Sequence, residues 1–362
     1  MKKCITALLL LFTLSVTSLL ACTSADKPES ATGKTSKTSK SINDKKTDLI
    51  PVTLNEVAHS IFYAPMYVAM EKNYFEKEGI DLSLVTGFGA DKTMTAVLSG
   101  TADIGFMGSE ASIYTYNEGA RDYVVNFAQL TQRAGNFLVA REDIKNFKWE
   151  DLKGRKVIGG RKGGMPEMVF EYILKQNHID PASDLTIDQN IDFGSTAAAF
   201  AEEKADYDFT VEFEPGATNL EKQEKGYVVA SLGTDSGYVP YTAFSAKKSY
   251  ISQHPEIIQG FTNALQKGMN YVASHTPEEI AQVIAPQFKE TTSDTITTIV
   301  SRYYEQDTWK KDLIFRQESF DLLQDILEDA GELRKRAPYK NLVTTIYAEK
   351  SAKAVKDTTL SH

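Results

Sequence analysis

The sequence predicts an α/β protein of two lobes, each a mainly parallel sheet flanked by helices, with C-terminal helices completing the first lobe. Three observations support this fold class. The order of elements repeats weakly at a spacing of about 100 residues. Strands alternate with helices over the first two thirds of the chain. Beyond Tyr241 the apolar residues follow a helical period. The chain has 362 residues, 42% of them hydrophobic, which is enough for two domains of ordinary size.

The first copy of the repeat begins with a strand predicted over residues 51–58. A helix opens around Ala64, and a second strand begins at Ile80. A short helix then ends at Gly100, because glycine tolerates the left-handed conformation that closes a helix. Residues 102–107 are short, apolar and bounded by glycine, which is typical of a buried strand.

The second copy has the same order. Residues 156–160 predict a strand, and a glycine-rich loop leads to a helix with Pro166 near its start. Residues 179–180 are expected to begin the next strand, and residues 205–206 precede a strand that runs into Glu214. Since ligands bind beyond the carboxyl ends of such strands, the facing loops of the two lobes would line a cleft.

Two long helices are predicted in the C-terminal part, over residues 255–274 and 317–335. Between them, Thr276 is followed three residues later by Glu279, which is the pattern of a capping box. We therefore expect the chain to leave the first lobe once and return, so that two crossings form a hinge. The expected boundaries are 49–132 and 241–350 for the first lobe, 133–240 for the second, and 351–362 for a tail.

The N-terminus predicts export. Lys2 and Lys3 precede an apolar stretch over residues 5–20, too short for a membrane span, so residues 1–21 are expected to be a signal peptide. Cys22 follows a pattern that resembles a lipoprotein box, which predicts lipidation, although an ordinary secretory signal is the alternative. Residues 22–48 have the composition of a flexible tether. The expected location is the extracellular face of a Gram-positive cell membrane.

Charge and motifs exclude several function classes. The net charge is −9, and loss of the two signal lysines would make it −11, which argues against nucleic acid as a partner. The five histidines have no metal-site spacing, and there is no HExxH motif, nucleophile elbow or CxxC pair. We therefore expect no metal, no cofactor and no enzymatic activity.

The loop after the first strand carries candidate ligand-binding residues. Glu56 ends the strand, and His59, Ser60, Phe62 and Tyr63 follow it. The two aromatic rings could stack on a flat ligand, or simply pack under the next helix. A hydrogen bond to ligand is the preferred role for His59, and a structural bond to backbone is the alternative.

A second candidate group follows the strand over residues 102–107. Gly108, Ser109 and Glu110 lead into a helix, where Ser109 is expected to cap the first turn. The N–H groups at such a helix start would face the cleft and could bind a ligand.

The second lobe and the return strand supply the remaining candidates. Gly163, Gly164 and Met165 begin the helix of Pro166, where glycines allow close backbone approach, and Tyr241 lies at the return to the first lobe.

Strand alternation places the carboxylates of Glu212 and Glu214 on one face. Facing the cleft, they would favour a ligand with N–H donors. Facing solvent, they would form an exposed sheet edge.

Three segments, residues 62–69, 74–80 and 98–105, resemble the binding-protein family of ABC importers for sulfonates, nitrate-like ions and thiamine pyrimidine precursors. The resemblance covers roughly residues 50 to 340 and implies a type II periplasmic-binding-protein fold. It also implies a permease and an ATPase as partners, a monomeric chain and no catalysis.

The family resemblance gives a preference among ligands. Sulfonate binders of the family often carry a hydroxyl residue beside the glycine of the second-lobe helix start, and Gly164-Met165 offers none. Phe213-Glu214 resembles the aromatic-Glu pair of pyrimidine-precursor binders. The preferred ligand is therefore a planar nitrogen heterocycle held by stacking and by Glu214. A sulfonate or other small anion is the alternative. A pyrimidine-processing enzyme is disfavoured because the cysteine-rich iron motif of that branch is absent.

Overall fold

The computed structural model describes residues 49–192 and 194–359. The predicted signal peptide, Cys22 and the tether lie outside the described residues. Within the described part of the chain, no helix combines the length and apolar character needed to cross a membrane.

Among the described residues, ten strands form two sheets. They are β1 (Ile50–Glu56), β2 (Ile80–Thr86), β3 (Ile104–Gly108), β4 (Val124–Gln129), β5 (Asn136–Ala140), β6 (Lys156–Ile158), β7 (Thr186–Asp188), β8 (Phe209–Phe213), β9 (Tyr227–Ser231) and β10 (Thr242–Lys247).

Helices cover the sheets and make up most of the C-terminal part. They are α1 (Ala64–Glu71), α2 (Tyr74–Lys77), α3 (Ala90–Ser99), α4 (Glu110–Asn117), α5 (Met165–Gln176), α6 (Thr196–Ala201), α7 (Gly216–Lys222), α8 (Leu232–Asp235), α9 (Lys248–Gln253), α10 (Pro255–Ser274), α11 (Pro277–Ile284), α12 (Ser293–Glu305), α13 (Gln317–Asp329), α14 (Tyr339–Leu342) and α15 (Ile346–Thr359). Short 3₁₀ turns span Ile61–Tyr63, Trp149–Leu152 and Ala285–Gln287.

The two sheets have equivalent topologies. The first has the order β2-β1-β3-β10-β4, and the second has the order β7-β6-β8-β5-β9. In each, the central parallel set pairs as expected for strand–helix–strand units. The predicted repeat is therefore present in the order of elements, and the α/β two-sheet class is confirmed.

One strand in each sheet departs from the parallel arrangement. β10 pairs antiparallel with β3 and β4, and β5 pairs antiparallel with β8 and β9. Each is the first strand after the chain passes from one sheet to the other, so it enters its new sheet in the opposite direction. The sheets are therefore mixed, with one reversed strand each.

The chain passes between the sheets twice, and the two passages are bonded together. The first lies between β4 and β5, and the second between β9 and β10. The Val239 N–H donates to the carbonyl of Gln132, and the Gln132 N–H donates to the carbonyl of Thr308. Three segments distant in sequence therefore meet where a hinge is expected. The exact lobe boundaries stay a prediction.

Two predicted elements differ from the structure. Residues 179–180 do not begin a strand. The N–H of Ala182 bonds the Asp180 side chain in a turn, and the strand starts only at Thr186. The helix predicted over 317–335 ends at Asp329, because Gly331 adopts a left-handed φ of 75° just beyond it. In contrast, α10 has the predicted bounds, and Thr276 and Glu279 form the predicted capping box.

The first lobe is held by α10 packed against α1, and Gly268 sets their separation. A Cβ atom at this position would lie 2.1 Å from the Pro65 carbonyl oxygen. We expect Gly268→Ala to lower the free energy of unfolding by about 2 kcal/mol, since neither helix backbone can move without disturbing the core. Urea denaturation measures this, with Ser274→Ala at the exposed end of α10 as the control. An unchanged midpoint for Gly268→Ala would contradict the packing described here.

Candidate functional site: a two-chambered cleft between the sheets

An inner chamber lies between the carboxyl edges of the two sheets and, with the open solvent at its mouth, contains about 490 Å³ of space not filled by protein atoms. Both sheets and the helices that follow their strands contribute to it. Its lining residues are Val57, Tyr63, Gly89, Ala90, Gly108, Glu110, Arg161, Gly164, Met165, Pro166, Phe213, Tyr241 and Thr242. The walls are mostly apolar, with a few polar groups, which is typical of a small-molecule site.

Glu110 is the main polar group of the inner chamber. It is 1% exposed, and its Oε2 has no hydrogen-bond partner among the described residues. Burial raises the pKa of Glu110 to about 7, while its own backbone N–H, the charge of Arg161 and the backbone N–H of Met165 act in the opposite direction. Because Met165 begins α5, the carboxyl of a first-lobe residue is held at a helix N-terminus of the second lobe.

Aromatic rings from both lobes form one wall of the inner chamber. Tyr63 is 1% exposed and packs edge-on against Phe106, with the ring centroids 4.4 Å apart. The rings of Phe213 and Tyr241 meet edge-on, with centroids 6.0 Å apart and planes inclined at 64°. A flat ligand would meet these rings on entering the chamber.

An outer chamber adjoins the inner one and contains about 880 Å³ of unfilled space. Pro166 and Phe213 line both chambers. The other lining residues are Ala58, His59, Ser60, Phe88, Asn136, Gly160, Gly194, Thr196, Ala197, Val211, Glu212, Glu214, Pro215 and Gly216. Phe88 of the first lobe is 56% exposed and lies at the rim of the outer chamber, near Gly194 of the second lobe.

Glu212 lines the outer chamber but is bonded to the protein. Its Oε1 accepts the Thr210 hydroxyl at 2.6 Å and its Oε2 accepts the Thr196 hydroxyl at 3.0 Å. Burial raises the pKa of Glu212 to about 7, against the effect of these two hydroxyl groups. The solvent-facing alternative is therefore wrong for Glu212, which is 4% exposed.

Glu214 also lines the outer chamber, with both carboxylate oxygens engaged. Oε1 accepts from Arg302 and from the Thr218 hydroxyl, each at 2.8 Å, and Oε2 accepts the Thr218 N–H at 2.9 Å. Arg302 also pairs with Glu221 at 2.8 Å. These bonds give Glu214 a structural role at the base of α7, and the ligand contact expected from the sequence stays a prediction.

His59 and Glu56 form a closed network. The Nδ1 of His59 lies 2.8 Å from Glu56 Oε1, and its Nε2 lies 2.9 Å from the Gln287 carbonyl oxygen. Burial lowers the pKa of His59, but these two acceptors outweigh burial and raise the pKa above its ordinary 6.5. Glu56 also accepts from Tyr67 and Thr86. Both ring nitrogens of His59 are thus occupied, which corresponds to the structural alternative left open by the sequence.

Ser60 and Phe62 of the first lobe contact residues of the second lobe. The Ser60 hydroxyl donates to the Glu214 carbonyl at 2.6 Å. Phe62 is fully buried, touches the rings of Phe213 and Tyr303, and lines neither chamber. The packing alternative therefore describes Phe62, whereas Tyr63 reaches the inner chamber.

Ser109 and Gly163 depart from their predicted roles. Ser109 precedes α4, but its backbone is helical at φ −70° and ψ −14°, so its side chain makes no cap bond. Its buried Oγ has no partner among the described residues. Gly163 lines a surface groove outside the chambers, and its N–H donates to Glu167 at 3.0 Å.

Two further lining residues were missed from the sequence. Arg161 lies in the glycine-rich loop before α5; its side chain is 43% exposed, and it lines the inner chamber with its Nε 3.9 Å from Asp91 Oδ1. Asn136 begins an apolar run that is typical of core, yet it lines the outer chamber. A polar residue at the edge of a buried strand was the signal that could have found Asn136.

The described residues contain no cluster of three or more His, Cys, Asp or Glu that could hold a metal ion. In the part of the chain that the structure describes, nine buried side-chain polar atoms have no partner, and three of them, those of Ser109, Glu110 and Asn136, lie in or beside the chambers. Buried polar groups are normally hydrogen-bonded, so this concentration indicates where a ligand supplies the missing partners.

Two similar α/β sheets joined by paired crossings, with a part-polar cleft between them, define the class of two-lobed small-molecule binding proteins. A family model described as "NMT1/THI5 like" matches residues 61–280. A Bacillus subtilis (strain 168) protein named "Putative binding protein YtlA" is 46% identical over 302 residues, covering 83% of this chain and 90% of that protein. The chain belongs to the NMT1/THI5-like family.

Solved structures show the same fold at low sequence identity. The alkanesulfonate-binding protein SsuA from Xanthomonas axonopodis pv. citri, bound to MOPS, has a TM-score of 0.67 at 14% identity, covering 82% of this chain and 98% of its own. The ligand-binding component of an ABC-type import system from Staphylococcus aureus has a TM-score of 0.66 at 15% identity, covering 83% and 98%. The similarity confirms the periplasmic-binding-protein fold.

Proposed function

We propose that this protein is the solute-binding component of an ABC importer, which captures a small organic molecule in the cleft and presents it to a permease and its ATPase. The 46% identical relative named as a binding protein supports this role. The Staphylococcus aureus structure, whose name places it in an import system, supports it through the shared fold. The protein is a monomer in this proposal, anchored through Cys22 to the extracellular face of a Gram-positive membrane.

The preferred solute is a planar nitrogen heterocycle, such as a thiamine pyrimidine precursor. The observation that carries this preference is the buried Oε2 of Glu110, an acceptor without a partner beside the rings of Tyr63 and Tyr241. A ring N–H or amino group would supply the missing donor, and the aromatic wall would stack on its face. Glu110 thus takes the role that the sequence assigned to Glu214.

The alternative solute is a sulfonate or another small anion. Arg161 in the inner chamber favours it. Against it, the Met165 N–H lies close enough to the Glu110 carboxyl to lower the pKa of that carboxyl, so the α5 N-terminus already faces an acidic group of the protein itself. A second anion would lie beside a buried carboxyl, which is unfavourable in a low-dielectric site.

Isothermal titration of the purified protein against aminopyrimidines and alkanesulfonates tests the proposal. We expect aminopyrimidines to bind and to be recovered unchanged by mass spectrometry, as a carrier requires. Tight binding of sulfonates with none of pyrimidines would overturn the ligand preference. Conversion of the pyrimidine would favour an enzyme, and the absence of any thermal stabilisation by either class would overturn the solute-binding role.

A further inference from the structure

The outer chamber contains a buried amide whose donor is unused. Asn136, the first residue of β5, is 1% exposed and lines the chamber. Its Oδ1 accepts the hydroxyl of Tyr241, while its Nδ2 has no partner among the described residues. A buried N–H group left unpaired costs about 1–3 kcal/mol, so this donor has a stabilising use only when another molecule supplies an acceptor.

The charges around the outer chamber select the kind of acceptor. Glu212 and Glu214 line it, and none of the described lining residues is a lysine or an arginine. The guanidinium of Arg302 is directed to Glu214 and Glu221, so it leaves Glu212 without a cation. The ionisable base among the described lining residues is His59, and both of its ring nitrogens are bonded to Glu56 and Gln287. An anionic group entering this chamber would therefore meet buried carboxyls and no free cation among these residues.

The two chambers adjoin each other, because Phe213 and Pro166 line both. Tyr241 lines the inner chamber and bonds the side chain of Asn136, which lines the outer one. For a substituent that extends from a solute bound against Glu110, Asn136 therefore offers a donor in the adjoining chamber that is unpaired within the described residues.

We propose that the outer chamber is a second subsite, in which Asn136 Nδ2 binds an uncharged hydrogen-bond acceptor of the solute, such as a carbonyl oxygen, and from which an anionic group of the same shape is excluded. This inference rests on the proposed function, because it assigns a substituent to the same solute.

Three probes that differ only at the 5-position test the subsite by isothermal titration: 4-amino-2-methylpyrimidine, its uncharged 5-formyl derivative and its anionic 5-carboxylate. The formyl oxygen can only accept, so we expect this compound to bind about five- to tenfold more tightly than the parent. The carboxylate is expected to bind at least about tenfold more weakly than the parent. Equal binding of all three would overturn the subsite and leave the proposed function intact. Binding of none would overturn the heterocycle preference and the subsite with it.

Asn136→Asp removes the donor but keeps the shape and the acceptor for the Tyr241 hydroxyl. At about pH 8, where an ordinary aspartate is ionised, we expect the tighter binding of the formyl compound relative to the parent compound to disappear, because the side chain no longer donates a hydrogen bond. Asn219→Asp, an exposed position on α7, is the matched control and should keep the advantage. Retention of the advantage in Asn136→Asp would refute the assignment. If that variant does not fold, the wild-type probe series decides alone.

Discussion

Replacement of Glu110 by glutamine is expected to lower the affinity for an aminopyrimidine about 100-fold. The substitution keeps the shape of the side chain but exchanges the unpartnered Oε2 acceptor for an N–H₂ donor, which opposes the donor of the ligand. Isothermal titration measures the loss. Glu118→Gln, at the exposed C-terminal end of the same helix, is the matched control and should bind like wild type. If Glu110→Gln bound the aminopyrimidine as tightly as wild type, Glu110 would not be a ligand-binding residue.

The same substitution is expected to stabilise the protein at alkaline pH. A carboxyl with a pKa of about 7 when folded and 4.5 when unfolded lowers the stability of the folded state as the pH rises between these values. The cost above pH 7 is roughly 3 kcal/mol, and glutamine does not incur it. Urea denaturation should therefore show Glu110→Gln more stable than wild type at about pH 8 and equal to it at about pH 4. A variant that loses both binding and stability at alkaline pH would indicate a structural role instead.

Arg302→Met is expected to have the second large effect, a loss of about 3 kcal/mol in the free energy of unfolding. The side chain of Glu214 is fully buried, and the guanidinium of Arg302 is the cation that pairs with it at 2.8 Å. Removing the cation leaves a buried carboxylate unpaired, which costs more than the ion pair itself contributes. Denaturant unfolding measures the loss, with the exposed Arg334→Met as the control.

A double variant separates the pair from other roles of Arg302. Glu214→Gln combined with Arg302→Met should recover part of the lost stability, because the uncompensated charge is gone. The solute affinity of the folded Arg302→Met variant should stay within about threefold of wild type, since neither residue offers a free group to the chamber. If Arg302→Met lost solute binding without losing stability, Glu214 would contact the ligand, as first expected from the sequence.

The fold was largely predictable because the residues that begin and end its helices act locally in the sequence. Gly100 ends α3 in the left-handed conformation, and Thr276 with Glu279 starts α11, as their positions in the sequence indicate. The direction of β5 and β10 was not predictable in this way. A buried apolar run has the same appearance whether the strand is parallel or antiparallel to its neighbours, so only the tertiary pairing reveals it.

The site was predictable in its loops but not in its bonding partners. Glu110 and Tyr63 follow strand ends, and both line the inner chamber. The role of Glu214 depends on Arg302, which lies 88 residues away in sequence. Asn136 was hidden because its neighbours on β5 are apolar core residues. Hydrogen-bond occupancy, which decides whether a buried carboxylate is free for a ligand, is a property of the folded chain.

A crystal structure of the protein with its tightest-binding pyrimidine tests the central claim most directly. Our account predicts the heterocycle in the inner chamber, with a ring or amino nitrogen about 2.7–3.0 Å from Glu110 Oε2 and the ring against Tyr63 or Phe213. A ligand bound outside the two chambers, or one that leaves Glu110 Oε2 without a partner, would contradict it.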